Sequence, residues 1–139
     1  VAGGVNGGVI GAMAELADAL EPLTDIFPGL QVGALFNGQP TPPAIDVYPG
    51  EDFQLGAGFD VGSVQWFFTV RAQVQVTDPV AGQTLLLRLM DPTDPGSLEA
   101  AIVNADAGTV VGVSAFREYP SATGDARLVG TEWRVSVFA

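Results

Sequence analysis

Residues 65–77, QWFFTVRAQVQVT, alternate with a period of two. Trp66, Phe68, Val70, Ala72, Val74 and Val76 share one parity. Gln65, Thr69, Arg71, Gln73, Gln75 and Thr77 share the other, with Phe67 the one apolar intruder. Side chains of a strand point alternately to its two faces, so the stretch predicts one long, half-buried strand. At ~3.3 Å per residue it reaches about 40 Å, close to the full width expected of a domain this size. Its polar parity carries no carboxylate, although Asp and Glu number 16 against 5 for Lys and Arg.

Upstream, VAGGVNGG (1–8) is glycine-rich and reads as a mobile arm. In VIGAMAELADALEPL (9–23), Val9, Met13, Leu16, Leu20 and Leu23 recur at helical spacing as one apolar stripe, with Asn6 as a candidate cap. Glu15, Asp18 and Glu21 lie off that stripe. Carboxylates in the last turn oppose the helix dipole by several tenths of a kcal/mol. They form either a solvated helix face or a patch that an arginine of a neighbouring subunit reaches. Pro28–Gly29 marks a turn before a short strand near 30–36, and the prolines of 38–43 read as a stiff linker. Ala44–Tyr48, held between prolines, predicts a short edge strand. Residues 49–64 read as a long loop whose Phe53, Leu55 and Phe59 either anchor a partner or fold back over the sheet.

Beyond the long strand, Asp78–Pro79 opens a helix over 79–90, and Ser97 caps another that runs to about 105. TVVGVSAFREY (109–119) is a strand whose alternation Gly112 loosens. RLVGTEWRVSVFA (127–139) is a last strand with Val129, Thr131, Trp133, Val135 and Val137 on one face. This order predicts a single α+β domain over 1–139. Its sheet is mixed, mainly antiparallel and of about five strands, with an N-terminal helix and two short helices packed on one face. No helix is then left to cover the face carrying Arg71, Gln73 and Gln75.

Composition narrows the chemistry. The chain has no Cys, His or Lys. Disulfides, Cys–His zinc sites, histidine bases, P-loop lysines and Schiff-base lysines are therefore excluded. Carboxylates, Tyr48, Tyr119 and five arginines remain, and neither catalysis nor a cofactor is expected. Asp91, Asp94 and Glu99, or Glu51, Asp52 and Asp60, could in principle hold Ca²⁺, but neither set matches a twelve-residue calcium loop. Asp91 and Asp94 both precede proline, which suits work at helix boundaries, so no metal is expected. The glycine pairs at 3–8 and 56–58 do not sit between a strand and a helix, which leaves a dinucleotide fingerprint unsupported. Arg71, Arg88, Arg117, Arg127 and Arg134 are each expected to pair with an acid.

The hydrophobic fraction is 47% with only 15% charged residues, a sign of apolar surface left for a partner or of a Gly- and Ala-rich core. No apolar run approaches a membrane span and no basic signal-peptide start is present, so a soluble protein of a reducing or indifferent compartment is expected. A net charge of −11 opposes gripping nucleic acid, yet suits a surface past which DNA slides. It could equally serve solubility alone.

PAIDVYPGE, WFFTVRAQVQVTDPVAGQTLLLRLMD and PGSLEAAI, taken in this order between an N-terminal helix and two closing strands, resemble the small tail terminator proteins of long-tailed bacteriophages. The family is also described as minor tail or tail-completion proteins. The likeness is strongest over 43–103, and the total lack of lysine departs from it. It implies a virion protein at the head-proximal end of the tail, assembled in the host cytoplasm. Such a protein is typically a ring of six subunits that caps the tail tube, stops its elongation and meets the head–tail connector while DNA passes through. A head-completion or neck protein is the nearest alternative, and a carboxylate-based metal-binding module a more distant one. On this reading Arg71, Gln73 and Gln75 face a neighbour or the channel, and Arg71 meets Glu15, Asp18 and Glu21 of the next subunit. Phe53 and Phe59 complete the expected interface.

Overall fold

The computed structural model describes residues 8–34, 43–57, 64–75, 79–120 and 127–138. Its elements are α1 (Gly8–Leu20), α2 (Leu23–Ile26), β1 (Gln31–Gly33), β2 (Ala44–Ala57), β3 (Val64–Gln75), α3 (Pro79–Met90), α4 (Leu98–Asn104), β4 (Thr109–Val113), β5 (Arg117–Pro120) and β6 (Arg127–Phe138). The class is α+β, with a mixed, mostly antiparallel sheet of six strands. The strand order is β1-β2-β3-β6-β4, β1 pairs parallel to β2, and β5 joins β6 beyond β4.

The long strand forms as its alternation predicts, at the centre of the sheet. β3 pairs with β6 from Gln65↔Phe138 to Gln75↔Leu128 without a register shift. Phe68, Val70, Ala72 and Val74 are buried, as are Thr131, Trp133, Val135 and Val137 of β6 on the same face. Leu16 and Leu20 of α1, Leu86 and Leu89 of α3, and Leu98 and Ile102 of α4 close over them in one core. Each such side chain contributes roughly 1.5–3 kcal/mol by leaving water. α3 comes close to β3 at Gly82, where a Cβ would stand 3.0 Å from Val74 and 3.1 Å from the Gln75 carbonyl oxygen.

Three expectations change. The helix expected over 9–23 stops at Leu20 because Pro22 cannot donate and disfavours helix in the residue before it. Pro22 then becomes the cap of α2, and Leu23 still completes the buried stripe. The loop expected over 49–64 is largely strand, since β2 continues through Pro49 to Ala57. Proline is tolerated because β1 pairs only with Ala44–Asp46, and among the described residues no strand lies outside β2 at Pro49. The single strand expected over 109–119 is two, β4 and β5, which follow the same side of β6 with a register shift between Val110 and Gly112 and a break over 114–116. That break raises the strand count from five to six. Asn6, residues 1–7 of the expected 1–8 arm, residues 38–42 of the expected 38–43 linker and Asp78 lie outside the described residues, while Gly8 opens α1.

The helix layer is tied by its own turns. Ser97 Oγ accepts the Ala100 N–H at 3.1 Å, the expected cap of α4. That helix ends with Asp106 at a φ of 54° and the Ala107 N–H donating back to the Ile102 carbonyl, a left-handed stop. Between α3 and α4, Arg88 pairs with Asp94 at 3.2 Å and stacks on Phe27 of the α2 exit at 4.8 Å. Phe27 needs the space left by Gly96, where a Cβ would lie 2.4 Å from its ring. No helix among the described residues is long and apolar enough to cross a membrane.

The Gly96 N–H, at 2.7 Å, and then Arg88 hold the Asp94 carboxyl below its ordinary 3.8. A depressed carboxylate stabilises the fold fully above its unfolded pKa and loses that contribution as pH falls through the folded one. Wild type should therefore lose stability as pH drops below about 4, and Asp94→Asn should lose less over the same interval. Urea titrations at a series of acidic pH values measure the difference.

Candidate interaction surface on the second face of the sheet

The parity opposite the core places three rows of side chains across β2, β3 and β6. Asp46, Arg71 and Glu132 form one row; Tyr48, Thr69 and Arg134 the next; Ala44, Gln73 and Gly130 a third. The carboxylate missing from β3 is therefore supplied from both sides by its neighbours. Arg71 Nε donates to Asp46 Oδ1 at 3.0 Å and Nη2 to Oδ2, a two-pronged contact. The guanidinium also lies over the Tyr48 ring, 5.3 Å from its centre.

This pairing corrects the expected role of Arg71. The residue is 6% exposed and Gln73 3%, so neither reaches a neighbouring subunit, and Arg71 finds its carboxylate inside its own chain. The second face is not open polar surface at its middle. Gln75 is exposed, whereas Gln73 Oε1 is buried without a hydrogen-bond partner. Glu15 is half-buried on α1 and Asp18 and Glu21 are exposed, all in the helix layer. The side chain of Phe53 and the whole of Phe59 lie outside the described residues.

Beside the buried pair the face opens into a concavity of about 440 Å³. Tyr48, Thr69 and Gly50 wall it on one side, and Gly112, Ser114 and Arg117 on the other, with Glu132 and Arg134 between. Its β4–β5 rim is shaped by the break at 114–116. Ser114 donates its N–H to the Glu132 carbonyl at 2.8 Å and accepts the Glu132 N–H on Oγ at 3.0 Å, while Thr131 Oγ1 donates to the Ser114 carbonyl at 2.7 Å. Arg134 is exposed but held, its guanidinium 4.1 Å from the centre of the Phe67 ring. That contact explains the one apolar residue on the polar parity of β3. Arg117 is more loosely placed, 3.7 Å from Glu132 with over half of its side chain exposed. Burial, and next the charge of Glu132, push the Tyr48 phenol above its ordinary 10.0, so it remains a neutral hydrogen-bonding group through the physiological range.

Arg134 was legible in principle, since Trp133 on the core face sends both its neighbours to the other side. Arg117 was not, because the break before it resets the alternation. Of the acid sets, Asp91 Oδ1 accepts from the Thr93 N–H and hydroxyl, and Asp94 serves Arg88 and Gly96. Among the described residues no group of three or more acids is placed to hold a metal ion. The side chains of Glu51, Asp52 and Asp60 lie outside them. No known family model matches the chain, and no curated protein matches it.

Removing one partner of a buried ion pair strands the other charge and typically costs about 3–5 kcal/mol, while replacing both with apolar residues costs far less. Arg71→Ala should therefore lower stability by roughly that amount, and Asp46→Leu combined with Arg71→Met should recover most of it. Gln73→Met should hold or raise the urea midpoint, because it removes an unsatisfied buried oxygen. Equilibrium urea unfolding of the set reads all of these.

Proposed function

We propose that this protein is a structural subunit of a long-tailed bacteriophage, forming a ring that caps the tail tube, stops its elongation and joins it to the head connector. The observation that carries the reading is the margin of the sheet at β4. This edge strand leaves Val111 and Val113 about half exposed, at 51% and 44%, and among the described residues nothing pairs with its outer side. An apolar strand edge of that kind is a ready template for another polypeptide, and a monomeric protein usually blunts or covers it. The element order supports the reading as well. The stretches that carry the likeness to tail terminators fall on β2, β3, α3 and α4 of a mixed sheet with flanking helices, the fold which that likeness implies.

Charge fits the same role. A ring traversed by DNA must not retain it, and a chain with net charge −11 repels phosphate at short range. Contacts between identical subunits in a ring are heterologous, one patch meeting a different patch on the next copy. The β4 margin supplies one such patch.

The test is genetic and structural together. Loss of the protein from its phage should give tubes of uncontrolled length and filled heads without tails, with normal morphology restored by the wild-type chain. Val111→Asp with Val113→Asp should fail to restore it while folding normally by circular dichroism. Tubes of normal length joined to heads in the absence of the protein would overturn the proposal.

A further inference from the structure

Both halves of a complementary charge pair exist in this chain, on opposite sides of its sheet. The first 70 residues hold eight acids and no Arg or Lys; residues 71–139 hold the other eight and all five arginines. Two of those arginines form the more buried pairs, Arg71 with Asp46 and Arg88 with Asp94, and Arg117 makes only a loose 3.7 Å approach to Glu132. The side chain of Arg127 lies outside the described residues. The two remaining, Arg117 and Arg134, are exposed and line the same concavity. On the other side of the sheet, α1, the turn that follows it and α2 present Asp18, Glu21 and Asp25 to solvent and Glu15 partly so, with no cation in the last turn of either helix.

The sheet stands between these two groups, so α1 of one molecule cannot enter its own concavity. We propose that the acidic face of α1 in one copy seats in the Arg117–Arg134 concavity of the next, and that this head-to-tail contact is what closes the ring. The inference rests on the ring reading and names the surface that the β4 margin meets.

Apolar surface borders both partners. Val111 and Val113, about half exposed, adjoin Gly112 along the β4 edge, with Val113 opposite Trp133 and so on the helix side of that edge, while Asp18 lines, with Ala19, Pro22 and Ile26, a groove of about 370 Å³ between α1–α2 and α4. A charged centre with apolar flanks fits a specific interface between proteins. Arg134 is already oriented by Phe67, so less side-chain freedom is lost when a carboxylate arrives. Gly112 bears no side chain that would fill the space, and a Cβ there would meet nothing within 4 Å. The seat is also selective. Glu132 lines it, so one isolated anion gains little, whereas a helix bringing two or three carboxylates spans both guanidinium groups.

Charge reversal on each side tests this. One variant carries Asp18→Arg and Glu21→Arg, the other Arg117→Glu and Arg134→Glu; all four positions are exposed, and circular dichroism checks folding. Mass photometry of wild type should show an oligomer that dissociates as ionic strength rises from about 0.1 to 1 M, since the screening length falls from ~10 to ~3 Å. Each variant alone should lose the oligomer. The chain carrying all four reversals should regain it, because its helix and concavity are complementary again.

Oligomers that survive either reversal would overturn the proposed contact while leaving the ring reading intact. So would a fourfold variant that stays monomeric although folded. A wild-type chain that never self-associates but still caps tubes overturns the contact alone. One that does neither overturns both.

Discussion

The pair between Asp46 and Arg71 is the constraint from which the rest of the second sheet face follows. It joins β2 to β3 at the middle of the sheet, within a surface that the alternation of β3 alone marks as polar and open. Because side chains alternate, a slip of one residue would carry Arg71 into the core among Phe68, Val70 and Trp133, at a prohibitive desolvation cost. Register and charge pairing therefore enforce each other. β6 confirms the same alignment from its own side, with Glu132 opposite Arg71 and Trp133 opposite Val70.

Drawing Arg71 inward redistributes the charge that remains outside. A chain with sixteen acids and five bases has few cations to place; Arg71 and Arg88 are taken up by Asp46 and Asp94, and Arg117 is loosely paired with Glu132. The exposed guanidinium groups among the described residues gather where β6 meets the broken edge strand, and the helix layer beyond the sheet is acidic. A two-layer fold keeps these regions apart, because the sheet and its core fill the space between them. The same layering that buries the apolar stripes thus gives the molecule unlike ends, which head-to-tail assembly requires.

Much of this was readable in the sequence where one local rule acted alone. The period-two pattern of β3, the apolar stripe of α1, the Ser97 cap and the single-face parity of β6 each depend on neighbours close in the chain, and each holds in the structure. The failures came where two segments had to be combined. Pro49 reads as a stop unless one knows that β1 has already ended beside Asp46. Arg71 reads as exposed unless Asp46, far earlier in the chain, is set opposite it. Arg117 and Arg134 share a concavity only because the break at 114–116 restarts the strand at Arg117, a matter of cross-strand geometry that Ser114 and Thr131 fix together. The interface expected from sequence relied on Arg71, which the structure instead pairs with Asp46 of its own chain.

Determining the structure of the assembled form at side-chain resolution by cryo-electron microscopy tests the account most directly. It should show Arg71 still bound to Asp46 of its own chain, with Arg117 and Arg134 within about 4 Å of carboxylates on the adjacent copy's α1. Arg71 released from Asp46 to bridge subunits, or Arg117 and Arg134 facing solvent in a closed ring, would contradict it.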